Sequence, residues 1–100
     1  MYGWGITQND EQVFLWYMKS AEQGYAPAQN MIGNYYLEGI SDIEEDQKVA
    51  FEWYSKSAEQ GYAPAQNNLG NCYYYGWGVK ASKTLMFRWY EKAALQGNPD

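Results

Sequence analysis

The sequence contains no histidine and only one cysteine, Cys72, among its 100 residues. Without histidine the chain lacks the commonest general base, the Ser–His and Cys–His nucleophile pairs and most zinc sites. A single cysteine cannot form an internal disulfide. On a predicted helix beside two tyrosines it indicates a small, reduced, buried side chain rather than a nucleophile. These absences predict a protein that is not an enzyme and that holds no metal and no cofactor.

Basic residues and long hydrophobic runs are scarce as well. Seven Lys and Arg stand against twelve Asp and Glu, and the net charge of −5 argues against binding to nucleic acid. No run approaches the roughly 18 to 20 apolar residues of a membrane span, and residues 1–15 lack the order of a signal peptide. We therefore expect a cytoplasmic protein that contacts neither nucleic acid nor a membrane.

The charge is also unevenly distributed along the chain. Residues 1–47 carry eight acidic residues and one basic residue, whereas residues 48–100 carry four acidic and six basic residues. One half is therefore strongly acidic and the other is mildly basic.

Aromatic residues and internal repetition are abundant. Five Trp, eleven Tyr and three Phe must supply much of the burial in so short a chain. The stretch WYMKSAEQGYAPAQN at residues 16–30 recurs at residues 53–67 with one substitution, and WYEKAALQG follows at residues 89–97. Steps of 37 and 36 residues between these stretches predict a solenoid built from pairs of helices.

Each unit reads as a first helix, a tight turn, a second helix and a loop. In the central unit the first helix shows one apolar stripe at helical spacing, formed by Ala50, Trp53, Tyr54, Ser57 and Ala58. Gly61 is suited to end this helix in the left-handed conformation. Pro64 fits the first turn of the second helix, where its missing N–H has no partner to lose, and Gly76 is expected to end that helix.

The starts of the first helices are predicted from residues that are equivalent between units. Asn9, Asp46 and Ser82 occupy the same position under the two steps, and all three are good N-cap residues. Gln12, three residues after Asn9, completes a capping box. We therefore expect first helices to begin at these three positions.

Two glycines, Gly33 and Gly70, fall in the middle of the second helices. A mid-helix glycine costs about 1 kcal/mol relative to alanine, so we expect a neighbouring helix to pass close to each of them.

One loop departs from the pattern. The segment after Gly39 is one residue longer than its counterparts, with the insertion near Ile40 or Ser41. In place of a Trp-Gly pair this loop carries Asp42, Glu44 and Glu45, followed by Asp46. The spacing is not that of a calcium loop, and acidic residues ahead of a helix are explained by the cap and the helix dipole.

The repeated motifs resemble the Sel-one-like repeat (SLR), a relative of the tetratricopeptide repeat. The resemblance rests on the aromatic pair before KSAEQG, the AQ that opens the second helix, the LG within it and the closing YYGWGV, and it covers essentially the whole chain. It implies an all-α fold, namely an α/α solenoid (superhelix) of antiparallel helix pairs. It also implies an adaptor that brings protein partners together, without catalytic residues.

We expect a single helical-repeat domain with five helices and a short N-terminal remnant. Residues 1–8 form the tail of a preceding repeat and its loop, 9–45 repeat 1, 46–81 repeat 2 and 82–100 a partial repeat 3. Solenoids need polar caps at their ends, and this sequence shows none. The sequence therefore predicts an excerpt of a longer array, or self-association through uncovered solenoid ends.

A partner surface is expected where the units differ, because repeated positions are needed for packing. The aromatic clusters at residues 35–39 and 73–78 are accordingly interpreted as packing between helices rather than as platforms for sugars or bases. The candidate partner-binding residues lie off the apolar stripe of the first helices, on the expected concave face: Leu15, Met18, Glu52, Ser55, Arg88 and Glu91.

The predicted function is a non-catalytic scaffold that binds a protein or peptide partner. A structural segment that self-associates is the main alternative. A hydrolase or a carbohydrate-binding module is a further one.

Overall fold

The computed structural model describes residues 2–97 of the chain, and the side chains of residues 10–96. This part consists of five α-helices and contains no strand: α1 (Tyr2–Glu22), α2 (Ala26–Glu38), α3 (Gln47–Glu59), α4 (Ala63–Tyr75) and α5 (Lys83–Gly97). Each helix packs against the next one in the chain, and the molecule measures 47 × 31 × 24 Å. The predicted all-α solenoid of helix pairs is thus confirmed.

The sequence determines most helix ends as expected. Asp46 caps α3 by accepting a hydrogen bond from the Val49 amide at 3.2 Å, and Ser82 caps α5 by accepting one from the Leu85 amide at 3.2 Å. Gly76 ends α4 in the left-handed conformation, with φ 76°. These predicted boundaries are confirmed.

The predicted start of the first helix at Asn9 is wrong. Helix α1 runs without a break from Tyr2 to Glu22, so Asn9 lies inside the helix instead of capping it. The expectation came from the likeness of residues 2–6 to residues 75–79, where α4 ends and a loop begins. That loop is held by a tertiary contact, because Gly78 lies directly against the backbone of Gln47 in α3.

The rings of tyrosines from the following helix pack directly against the mid-helix glycines. A Cβ on Gly33 would lie 2.5 Å from Cε1 of Tyr54, and a Cβ on Gly70 would lie 2.5 Å from Cδ1 of Tyr90. The Tyr54 hydroxyl donates to Asn34 Oδ1, at 2.5 Å, in the turn of helix next to Gly33. Tyr90 donates to Asn71 in the same way. The predicted close approach of helices is confirmed, and it joins α2 to α3 and α4 to α5.

Glutamines form a second repeated connection between helices. Gln29 donates from Nε2 to the carbonyl of Ala21 at 3.1 Å, and its Oε1 accepts from Gln60 Nε2 at 2.8 Å. The same arrangement recurs one unit later with Ala58, Gln66 and Gln96, at 3.2 and 2.9 Å. Gln29 and Gln66 are buried, so their amides satisfy polar groups that water does not reach.

The apolar core consists of two clusters of small and aromatic side chains. Between α1 and α2 the buried members are Ala21, Ala28 and Ile32. Between α3 and α4 they are Ala50, Tyr54, Ala58, Ala65, Leu69 and Cys72. Cys72 is fully buried, and burial raises the pKa of its thiol from 9.0 to about 12. Its interpretation as a small buried side chain is confirmed.

Candidate partner-binding surface

The six predicted partner residues lie as three separate pairs on α1, α3 and α5. Four of them are exposed: Leu15, Glu52, Arg88 and Glu91. Met18 and Ser55 are half-buried, and Met18 packs against the core cluster between α1 and α2. The structure thus gives Met18 a packing role that its position off the stripe did not indicate.

The three pairs do not converge on one pocket. Within the described part of the chain, no Cα of α1 lies within 8 Å of a Cα of α3, and the same holds for α3 and α5. The second helices, by contrast, do approach each other, and Asn68 of α4 donates to Asn30 of α2 at 2.9 Å. A ligand that touched all three pairs would therefore have to be extended across the array.

Half-buried tryptophans border the exposed residues of the first helices. The ammonium of Lys56 lies 4.6 Å from the ring centre of Trp53, and that of Lys92 lies 4.7 Å from the ring centre of Trp89. Both pairs have the same i, i+3 spacing, so this cation–π contact recurs on α3 and α5.

An apolar pocket with a volume of about 240 Å³ lies between α1 and the loop that carries the insertion. One wall is formed by Phe14 and Leu15, and the other by Ser41 and Ile43. Acidic side chains complete the lining: Glu11 and Asp42. Sequence reasoning selected Leu15 but missed Phe14 and Ile43. The one-residue insertion was the signal that pointed to this loop.

The inserted loop has an unusual backbone at the edge of this pocket. Ser41 has φ 60°, the only positive φ at a residue other than glycine in the described chain. The insertion was placed near Ile40 or Ser41 from the sequence, and the irregular backbone falls at that point. The loop is tied to α2, because the Asp46 amide donates to the carbonyl of Tyr36 at 2.7 Å.

The aromatic cluster at residues 73–78 packs between helices through Tyr73 and Trp77, while Tyr74 and Tyr75 also present exposed surface. Tyr73 meets the ring of Phe51 edge-on at 5.6 Å, and Trp77 packs against the α3–α4 core. Tyr74 and Tyr75 are more than half exposed, and Tyr75 stacks on Trp77 with 4.5 Å between ring centres. Both tyrosines replace different residues in the preceding unit, Leu37 and Glu38. The rule of seeking unit-specific positions, applied to second helices, would have selected them.

The described residues contain no group of three or more His, Cys, Asp or Glu side chains placed to hold a metal ion. None of the helices in residues 2–97 combines the length and apolar character needed to cross a membrane.

Comparison with family models gives three consecutive matches to the Sel1 repeat, at residues 1–25, 26–62 and 63–98. The chain belongs to the Sel1 repeat family. The second match contains α2 and α3, and the third contains α4 and α5. Each of these Sel1 repeats therefore includes one tyrosine-on-glycine contact, Tyr54 on Gly33 or Tyr90 on Gly70.

Solved structures of similar Sel1 repeat proteins share this fold. A Sel1 repeat protein from Oxalobacter formigenes is 39% identical with a TM-score of 0.81, over 84% of this chain and 63% of that one. The protein c5321, a protective antigen of uropathogenic Escherichia coli strains with an SLR fold, is 41% identical with a TM-score of 0.79, over 83% of this chain and 18% of that one. This chain thus spans less than two thirds of either relative. A search of curated protein sequences gave no match.

Proposed function

We propose that this Sel1 repeat chain is a non-catalytic scaffold, an adaptor that binds a protein or peptide partner through its first helices. Sel1 repeats generally mediate protein–protein interaction, which supports the class of function. The residues that distinguish one unit from the next supply the contacts: Leu15, Met18, Glu52, Ser55, Arg88 and Glu91.

The observation that carries the proposal is a contrast in exposure along the first helices. Tyr54 is fully buried against Gly33, and Ser57 is fully buried and donates to the carbonyl of Ala26 at 2.7 Å. Glu52, two residues before Tyr54, is exposed, as is its counterpart Arg88. The repeated residues Tyr54 and Ser57 are thus committed to contacts between helices, while the unit-specific residues Glu52 and Arg88 remain available to a partner.

The state of Cys72 supports a non-catalytic role. A nucleophilic cysteine needs a lowered pKa and access to substrate, whereas burial raises the pKa of this thiol to about 12. A sequence without histidine also offers no imidazole base to activate it.

The proposal is tested by affinity capture with the intact chain, quantified against a charge-matched control. The test variant carries Glu52→Lys and Arg88→Glu, which leaves the net charge unchanged. The control carries Glu38→Lys on α2 and Lys80→Glu in the loop before α5, two exposed positions away from the first helices. We expect the test variant to lose at least one partner that the wild type and the control both retain.

If every partner captured by the wild type is recovered equally with Glu52→Lys/Arg88→Glu, the proposed face is wrong. The circular dichroism of both variants must match that of the wild type. The altered side chains are exposed, so we expect the fold to be kept.

Self-association is a second candidate function, and the exposed side of α5 favours it. Phe51 packs on Tyr73, but its counterpart Phe87 is mostly exposed, as is Leu95. The acidic first half and the basic second half of the chain would favour head-to-tail contact, which salt would screen. Sedimentation velocity tests this candidate: a strict monomer over a wide range of concentrations would exclude it, and Phe87→Ser should weaken any association.

A further inference from the structure

Contacts within the chain hold Phe14 and the inserted loop, on the two sides of the pocket, in place. Phe14 meets the ring of Tyr35 edge-on with 5.1 Å between centres, which holds the α1 side of the pocket against α2. On the loop side, the Ile43 amide donates to the carbonyl of Ile40 at 3.1 Å. The loop also closes tightly on Gly39, where a Cβ would lie 3.4 Å from the Ile43 carbonyl oxygen. A preformed site loses little conformational entropy when a ligand binds.

The size and lining of the pocket suit one large apolar side chain. Its volume of about 240 Å³ is several times the ~30 Å³ of a water molecule in the liquid. Phe14, Leu15 and Ile43 present carbon surface to this space, and Leu15 is 64% exposed. Covering such surface with an apolar side chain is favourable, since it removes both surfaces from water.

The charges around the pocket favour basic residues on either side of the ligand's apolar side chain. Glu11 and Asp42 line it directly, and Glu44 and Glu45 follow in the same loop. Lys19 is the only base among residues 1–47, and it lies two turns of α1 beyond Glu11. Acidic groups around an apolar centre attract lysine and arginine and repel acidic segments.

We propose that this pocket binds a peptide segment of a partner protein in which a leucine, phenylalanine or methionine is flanked by lysine or arginine. The apolar side chain enters between Leu15 and Ile43, and the basic residues face Glu11 and Asp42. The proposal rests on the scaffold function, and it names the chemistry of one partner segment.

The test uses fluorescence anisotropy with labelled peptides of the form Gly-Lys-Arg-X-Arg-Lys-Gly, where X is Leu, Phe, Met or Ser. A matched panel carries Glu in place of every Lys and Arg. We expect the Leu, Phe and Met peptides to bind the intact chain at least about tenfold more tightly than the Ser peptide, which corresponds to burial of one apolar side chain. The acidic panel should not bind.

Two variants locate the binding, each with a matched control. Leu15→Ser should weaken binding of the Leu peptide about tenfold. Leu95→Ser changes a leucine of similar exposure (70%) on α5 and should leave this affinity unchanged. Asp42→Asn should weaken binding of the Leu peptide about threefold at low salt and less at high salt, whereas Glu59→Asn on α3 should leave the affinity unchanged.

The proposal is overturned if no basic peptide binds the wild type, or if Leu15→Ser binds as the wild type does. It is also overturned if the pocket is filled by a second copy of this chain, seen as self-association that Leu15→Ser abolishes. The chain does contain an exposed apolar–basic pair, Phe87 and Arg88. None of these results decides the scaffold function, which is judged by capture with Glu52→Lys/Arg88→Glu.

Discussion

The ring of Tyr54 lies across the backbone of Gly33 so closely that an added Cβ would stand 2.5 Å from Cε1 and 2.6 Å from Cδ1. Tyr54 has no exposed surface, so its ring has no free space to turn into. The same relationship between Tyr90 and Gly70 joins the last two helices, although Tyr90 is only half-buried. These contacts explain why glycine is used inside two helices at a cost in helix propensity.

Replacing either glycine by alanine should therefore destabilise the chain. Overpacking costs about 1–3 kcal/mol, which outweighs the gain of about 1 kcal/mol in helix propensity. We expect a larger loss for Gly33→Ala than for Gly70→Ala, because the half-buried ring of Tyr90 is freer to move. Urea unfolding measures both losses. As a control, Asn67→Ala on the exposed side of α4 should be neutral or slightly stabilising. If Gly33→Ala were more stable than the wild type, the close contact between Tyr54 and Gly33 would be contradicted.

The buried glutamines should contribute more to the unfolding free energy than their exposed partners. Gln66→Ala removes the donor to the Ala58 carbonyl and the acceptor of Gln96 in a buried site, which should cost about 1–3 kcal/mol of unfolding free energy. Gln96→Ala removes only the exposed end of the same chain of hydrogen bonds and should cost less than about 0.5 kcal/mol. Equal losses in thermal or urea unfolding would show that burial of Gln66 is not the source of the stability.

The helix caps provide a direct test of where α1 begins. Asp46→Ala should lower the unfolding free energy by about 1 kcal/mol, since it removes the acceptor of the Val49 amide. Asn9→Ala should instead be neutral or stabilising by up to about 0.5 kcal/mol, because Asn9 lies within α1 and alanine is the better helix former. A loss at Asn9 as large as that at Asp46 would mean that the first helix begins at Asn9 after all.

Stability should fall as the pH rises above about 9. In the unfolded chain the Cys72 thiol ionises near its ordinary pKa of 9.0, while burial keeps it protonated to about 12 in the folded chain. The unfolded state then binds fewer protons than the native state, so the unfolding free energy decreases by up to about 1.4 kcal/mol per pH unit. Burial, with smaller contributions from Cys72 and Glu38, also raises the pKa of Tyr54 and adds to the loss at higher pH.

Urea unfolding between about pH 8 and pH 11 measures this slope, with Cys72→Ala as the comparison. The variant should be less stable at neutral pH but should show a shallower slope above pH 9. Equal slopes in the wild type and Cys72→Ala would contradict the assignment to Cys72.

Much of the fold follows from the sequence because local and tertiary preferences agree. The helical stripe that contains Tyr54, the caps at Asp46 and Ser82 and the close approaches at Gly33 and Gly70 were all predicted from spacing and residue type. The start of the first helix could not be predicted. Residues 2–6 are nearly identical to residues 75–79, yet the first stretch lies within α1 and the second spans the end of α4 and the loop that follows. The local sequence alone therefore does not decide the conformation.

The candidate surface was predictable only in part. Comparing the units selects Leu15, Glu52 and Arg88, which are exposed, but it also selects Met18, which is half-buried against the core. Position on a helix does not state how far a flexible side chain such as methionine folds back onto its neighbours. The pocket at Leu15 was beyond prediction, because the loop carrying Ile43 reaches it from another part of the sequence.

The central claim is that repeated residues join the units and unit-specific residues bind the partner. The most direct measurement is calorimetric titration of a captured partner into Glu52→Lys and Gln66→Ala, together with the unfolding free energy of each. We predict that Glu52→Lys weakens binding about tenfold with a change in stability below about 0.5 kcal/mol. Gln66→Ala should lose stability but bind normally when folded. Weakened binding by folded Gln66→Ala, with normal binding by Glu52→Lys, would contradict the claim.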